Sequence, residues 1–229
     1  MNNYQKRPCS SPPLQRRAFT LAETLITLVI IGVVAALVIS PLINTYVENS
    51  TVAKVKKGLS ILGQAKKLAE TQNGPIEGWN FAAGATQQTA TQFWSYIKPY
   101  ISVAKDCGAS TDCYQGNGTY YLNGNPMPTE YNTNSAYYKF VLADGSVMWF
   151  KTFTQRCSNV NGDVPNVCAA FWYDVNGDKK PNTLGKDIFH YVMSIEGVYP
   201  NIDSSCIKTS NGWGCSGYII KHNNMNYLH

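Results

Sequence analysis

The 229-residue chain carries 19 basic and 14 acidic residues, and charged side chains make up only 14% of it. Lys6, Arg7, Arg16 and Arg17 precede the first long apolar run, and without them the balance is 15 basic to 14 acidic. The net charge of +5 is therefore mostly an end effect and says little about nucleic acid.

The first predicted element is a helix. Residues 16–25 read Arg-Arg-Ala-Phe-Thr-Leu-Ala-Glu-Thr-Leu, and apolar residues continue to Ile39. Phe19 to Ile39 is 21 residues with one formal charge, Glu23. As a helix this spans ~30 Å, the thickness of one bilayer core. Four basic residues and no acid precede it, which places the N-terminus on the cytoplasmic side and the rest of the chain outside. An acid inside such a span costs roughly 2.5–3.5 kcal/mol (the figure for Asp) and marks a functional residue. A secretory signal peptide has a shorter apolar core and a cleavage site after it. A plain membrane anchor needs neither Glu23 nor the Phe-Thr-Leu start.

These residues resemble the prepilin cleavage and methylation motif of the type IV pilins and type II secretion pseudopilins. Ala18 stands where that motif has Gly or Ala, and Ala22 where a larger apolar residue is usual. The resemblance implies cleavage between Ala18 and Phe19 by a prepilin peptidase, N-methylation of Phe19, and a polymerisation role for Glu23. Implied partners are other pilin or pseudopilin subunits and an inner-membrane assembly platform with its ATPase. The implied location is the inner membrane, single-pass with the head outside the cytoplasm, and then an extracytoplasmic filament. The implied fold is α+β and pilin-like: a long N-terminal hydrophobic, then amphipathic, helix packed on a C-terminal antiparallel sheet. The expected divisions are a leader (1–18), a membrane or filament-core helix (19–40), an amphipathic half-helix (41–74) and a globular head (75–229).

Val52, Val55, Leu59, Leu62, Ala65 and Leu68 form a helical stripe, with Lys54, Lys56, Lys57, Lys66 and Lys67 on other faces. Asn73-Gly74-Pro75 stops the helix, which is expected from about Thr20 to Gln72 with a kink or local melting at Pro41. Ala82 to Gln92 is a polar stretch. Phe93 to Ile101 predicts a short helix ending near Pro99. Tyr137–Leu142 and Val147–Phe153 flank Asp144-Gly145, a hairpin signal. Ala169–Asp174 and Phe189–Ile195 predict further strands, and Tyr218–Ile220 a last one.

Cys107, Cys113, Cys157, Cys168, Cys206 and Cys215 follow the leader, an even number that suits disulfides outside the cytoplasm. Pairing each with its neighbour is one of 15 possibilities. There is no Cys-x2-Cys and no histidine spaced for zinc.

Asp174-Val175-Asn176-Gly177-Asp178 opens a loop of hard oxygen ligands with a glycine for the turn, which suits Ca²⁺. Candidate ligands are Asp174, Asn176, Asp178, Asn182 and Asp187. Position 12 of an EF-hand would be Gly185, so the loop is not one. The composition is loosely similar to the calcium loop of the major pseudopilins. The plainer reading is an Asx-rich turn, and Lys179 and Lys180 weigh toward it.

No nucleophile elbow, zinc-protease motif or phosphate loop is present, and Gly116-Asn117-Gly118 is too short to cradle phosphate, so no enzyme is expected. The other reading of the head is a pilus-tip or competence-pilus binding module, for adhesion or DNA uptake. From Pro75 onward ten basic face 11 acidic residues, which does not favour DNA. Trp79, Trp94, Trp149, Trp172 and Trp213 read first as core and only second as a ligand platform.

Overall fold

The structure is a computed structural model that describes residues 19–114, 118–127, 133–154, 156–201 and 206–229. The chain divides into two units between Thr45 and Tyr46. Helix α1 (Leu21–Asn73) supplies the described part of the first unit and opens the second. Helical assignment runs unbroken through Pro41, so the expected local melting is not there. The proline ring removes one donor but leaves neighbouring bonds in place, and the Thr45 hydroxyl donates back to the Pro41 carbonyl (3.0 Å). The helix stops at Gly74, whose φ of +77° only glycine adopts easily and whose N–H still reaches the Glu70 carbonyl (2.9 Å).

In the second unit α1 forms the inner layer. Val52, Val55, Leu62 and Ala65 are buried as the stripe predicts, but Leu68 is 48% exposed and Ala69 takes its place. Three successive steps of three residues lag a 3.6-residue helix, and the step of four from Ala65 to Ala69 restores the face. Lys66 is a second correction. It is 5% exposed, and its ammonium donates to Glu70 (2.7 Å) and the Ile195 carbonyl (2.9 Å). Lys54 donates to the Val175 carbonyl (2.7 Å) and Lys56 to Asn223 Oδ1 (2.6 Å), while Lys57 pairs with Asp144 (2.8 Å). The lysines that flank the stripe therefore anchor the head to the helix.

Helix α2 (Gln87–Ile97) begins inside the polar stretch, earlier than expected. Thr86 and Thr89 form a reciprocal cap: the Thr89 N–H donates to the Thr86 hydroxyl and the Thr86 N–H to the Thr89 hydroxyl. Phe93, Trp94 and Ile97 are buried, and Pro99 ends the helix.

Among the described residues seven antiparallel strands follow: β1 (Val103–Gly108), β2 (Tyr138–Leu142), β3 (Val147–Thr152), β4 (Asn159–Asn161), β5 (Val164–Asp174), β6 (Ile188–Ser194) and β7 (Val198–Pro200). Their order is β1-β2-β3-β5-β6-β7, with β4 also on β5. Register aligns Tyr138, Phe150, Phe171 and Tyr191 in one row, and Phe140, Met148, Tyr173 and Phe189 in the next. Both rows pack in one core with α1 and α2. The Tyr191 hydroxyl donates to the Val55 carbonyl (2.7 Å), joining sheet to helix. On the opposite face Lys139, Trp149, Trp172 and His190 form a row beneath Tyr114, Leu184 and Trp213.

The expected last strand, Tyr218–Ile220, is instead inside helix α3 (Cys215–His222). Its apolar side chains follow a helical period, burying Cys215 and Ile219, and Asn223 closes it in the left-handed conformation. The sheet's last strand is β7, before it in sequence.

At Gly58 the Tyr173 ring of the sheet packs directly against α1. A Cβ there would lie 2.6 Å from the Tyr173 ring, whereas one at Gly63 meets open space. Gly58→Ala is expected to destabilise the head by about 1–3 kcal/mol despite alanine's better helix propensity, and Gly63→Ala to stabilise it by about 0.5–1 kcal/mol. Denaturant titration of the full chain in detergent, followed by tryptophan fluorescence, checks the pair.

Burial raises the Asp144 carboxyl, but the Lys57 ammonium and the Ser146 donors outweigh it and bring its pKa down to about 2. A depressed carboxylate stabilises the fold above its unfolded pKa near 4, and that stability is lost as pH falls through 2. Allowing for screening around the half-exposed Lys57, Asp144→Asn should remove about 1 kcal/mol at pH 7 and flatten the stability profile between pH 4 and 2.

Candidate functional site

At the start of α1, Thr20 and Glu23 close a reciprocal cap. The Thr20 N–H (2.9 Å) and hydroxyl (3.0 Å) donate to Glu23 Oε2, and the Glu23 N–H donates to Thr20 Oγ1 (3.2 Å). The Thr-x-x-Glu spacing of the sequence signals this box, which the charge of Glu23 alone does not. The carboxylate sits at the positive end of the helix dipole, which suits it. Among the described residues no cation lies within ion-pair distance of Glu23. The Thr24 and Thr27 hydroxyls donate to the Leu21 (2.9 Å) and Thr24 (3.0 Å) carbonyls. The helix thereby satisfies its own hydroxyls, as a segment in lipid must.

The large apolar side chains from Leu21 to Ile43 are at least half exposed, and Phe19 is 84% exposed. The helix is long and apolar enough to cross a membrane. So large an apolar surface calls for lipid or a neighbouring protein. Ala18, the other residue of the expected cleavage site, lies outside the described residues, as do the rest of the leader and Gly116-Asn117.

The second candidate is the loop between β5 and β6. The Val175 N–H donates to the Asp187 carbonyl (2.9 Å), which closes the loop and buries both Asp174 and Asp187. Asp187 Oδ2 accepts from the Asn182 N–H (2.8 Å) and Asn176 Nδ2 (3.2 Å), and its Oδ1 from the Thr183 N–H (2.6 Å). Asp174 Oδ1 accepts from the Asn176 N–H (3.1 Å). Among the described residues of the loop three buried oxygens have no donor in hydrogen-bonding geometry: Asp174 Oδ2, beside the Tyr114 hydroxyl, Asn176 Oδ1 and Asn182 Oδ1. Burial, followed by the charge of Asp187, holds the Asp174 carboxyl well above the usual carboxylate range. Burial also raises Asp187, against the pull of the Thr183 and Asn182 N–H groups.

Acceptor oxygens buried without donors, next to two carboxylates held high, are the environment a hard cation relieves. The structure thus brings Asp174, Asn176, Asn182 and Asp187 to one loop, and Asn182, the weakest of the sequence candidates, is one of its buried members. Asp178 stays exposed, as do Lys179 and Lys180, so the lysines do not occupy the loop interior. Among the described residues no group of three Asp, Glu, His or Cys side chains converges as metal ligands. A cation here would rest on two carboxylates and two amide oxygens.

The six cysteines after the leader are joined as Cys107–Cys113, Cys157–Cys168 and Cys206–Cys215. They tie β1 to the turn after it, the approach to β4 to β5, and the segment after β7 to α3. Each closes a short loop of the unfolded chain.

No curated protein and no solved structure matches this chain. A profile described as the Prokaryotic N-terminal methylation motif matches residues 14–39, the segment that contains Phe19, the Thr20–Glu23 cap and the exposed apolar half of α1. With that motif at its N-terminus and an antiparallel sheet packed on the rest of the same helix, the chain carries the type IV pilin and pseudopilin signature on a pilin-like α+β architecture.

Proposed function

We propose that this chain is a minor or specialised subunit of a type IV pilus or type II secretion pseudopilus. A prepilin peptidase cuts between Ala18 and Phe19, and the new Phe19 amine is methylated. The head lies outside the cytoplasm, and an inner-membrane platform with its ATPase moves the subunit into a filament. The observation that carries this reading is the apolar, exposed helix with a lone carboxylate in its first turn. Glu23 has a cap but no counter-charge among the described residues.

A free Phe19 ammonium and the Glu23 carboxylate are both costly in lipid. Glu23 of an incoming subunit set against the Phe19 amine of its neighbour compensates both. Head-to-tail contacts of this kind do not close on themselves and so propagate a filament. Glu23→Ala is expected to keep insertion and processing while lowering recovery in sheared filaments at least about tenfold, as loss of a desolvated charge pair implies. Thr20→Val removes the cap, costs about 1 kcal/mol at the helix start and leaves filament recovery largely intact. Equal recovery of Glu23→Ala and wild type would sink the assembly role.

We infer further that the β5–β6 loop holds a structural Ca²⁺ through Asp174, Asn176, Asn182 and Asp187. The buried donor-less oxygens support this, and Asp178, being exposed, is left out of the set. In the full chain, Ca²⁺ at 100 times its Kd should add about 2.7 kcal/mol to head stability relative to EDTA. Asp174→Asn should abolish that gain. Unchanged thermal unfolding in millimolar Ca²⁺ rejects the site.

A further inference from the structure

The face of the sheet turned away from α1 carries a depression of 580 Å³ that neither the N-terminal segment nor the β5–β6 loop explains. Its volume is within the range of small-ligand sites. Ala170 gives it a floor, because register sets this small residue between Lys151 and Val192. One wall is an edge-to-face set of rings: Trp172 and His190 at 4.8 Å, and His190 and Trp213 at 5.0 Å and 89°. Phe153 stands on another side.

Three features of this depression call for a ligand. First, the Lys151 ammonium lies 5.3 Å from the Phe153 ring centre and 5.9 Å from that of Trp172. Among the described residues no carboxylate lies within ion-pair distance of it. Partial burial lowers its pKa, so the charge is held there at a cost. Second, His190 is 2% exposed and its Nδ1 has no hydrogen-bond partner, although the ring borders the cavity. Third, Asn161 and Asn201 place side-chain amides, donor and acceptor together, on the rim, with Asp163 as a further acceptor on the exposed β4–β5 turn.

A planar aromatic acid would use the rings and the ammonium but leave the rim amides idle. A neutral sugar would use the rings and amides but leave the ammonium without its counter-charge. Among the described residues the lining is not a basic nucleic-acid groove, since Lys151 is its one cation besides the neutral-held His190. We propose that this depression binds a carboxylate-bearing sugar unit of a polysaccharide: the indole and phenyl rings cover the C–H face of the pyranose, the Asn161 and Asn201 amides bond its hydroxyls, and Lys151 pairs with its carboxylate. The proposal stands apart from the filament reading, because equilibrium binding to the chain requires no assembly.

The test is calorimetry on the full chain in detergent with oligomers of galacturonate, glucuronate and mannuronate, and with their methyl esters. At least one acid series should bind saturably, and its ester roughly ten- to hundredfold more weakly, as loss of a charge-assisted bond implies. Lys151→Met should bring the acid down to the level of the ester, and Trp213→Ala, at a partly exposed ring, should weaken both. Far-UV circular dichroism and a thermal unfolding midpoint matching wild type certify that each variant is folded, and Lys151→Arg should restore the preference for acid in part. No saturable binding to any acid oligomer overturns the proposal. So does equal affinity for acid and ester, or wild-type binding by a folded Trp213→Ala chain.

Discussion

Twenty-one residues from Phe19 to Ile39 hold one formal charge, and where that charge goes constrains everything N-terminal to the head. In the single chain Glu23 is held by Thr20 and by the helix dipole. That arrangement satisfies hydrogen bonds without neutralising charge. The apolar side chains around it are exposed and need lipid or other helices. Lipid and neighbouring helices each meet those needs, and the methylation motif matches this same segment, residues 14–39.

The same helix does different work after Tyr46. There it offers an apolar stripe to the sheet, and Gly58 lets the Tyr173 ring lie against its backbone. Lys54, Lys56, Lys57 and Lys66 each reach a polar group of the head, so the helix is fixed along its length by directional bonds as well as by packing. With one face of the sheet committed to the helix, the other is free to carry chemistry. Loops cover most of that second face, and the depression over Ala170 is where a side chain too small to fill the layer leaves it open.

Elements with a strong local signal were legible in the sequence. The long helix, its stop at Asn73-Gly74-Pro75 and the Asp144-Gly145 hairpin each follow from periodicity or turn chemistry. Strands β5 and β6 were readable because unbroken apolar runs are buried on both faces. Strand β1 was not, because it is a charged, irregular edge carrying Lys105 and Asp106 with no buried residue. Tyr218–Ile220 misled because three β-favouring residues are too few to show a period, and the helical pattern appears only when Cys215 and Asn223 are read with them. Lys66 could not have been placed, since its burial depends on the Ile195 carbonyl, 129 residues away in sequence. Within the β5–β6 loop, residue types indicated oxygen chemistry. Only the fold shows that Asp178 faces solvent while Asn182 is buried without a donor.

The role proposed for Glu23 depends on what happens at Phe19, and intact mass with N-terminal sequencing of the protein from its own membrane fraction tests that most directly. A chain beginning at N-methyl-Phe19 is the predicted result. It would mean that the segment before Phe19 is removed and that Glu23 sits five residues into the mature subunit. A chain still beginning at Met1, or one beginning beyond Ile39, would contradict the account, because the apolar helix would then be a plain anchor or a discarded signal and Glu23 would have no neighbour's amine to meet.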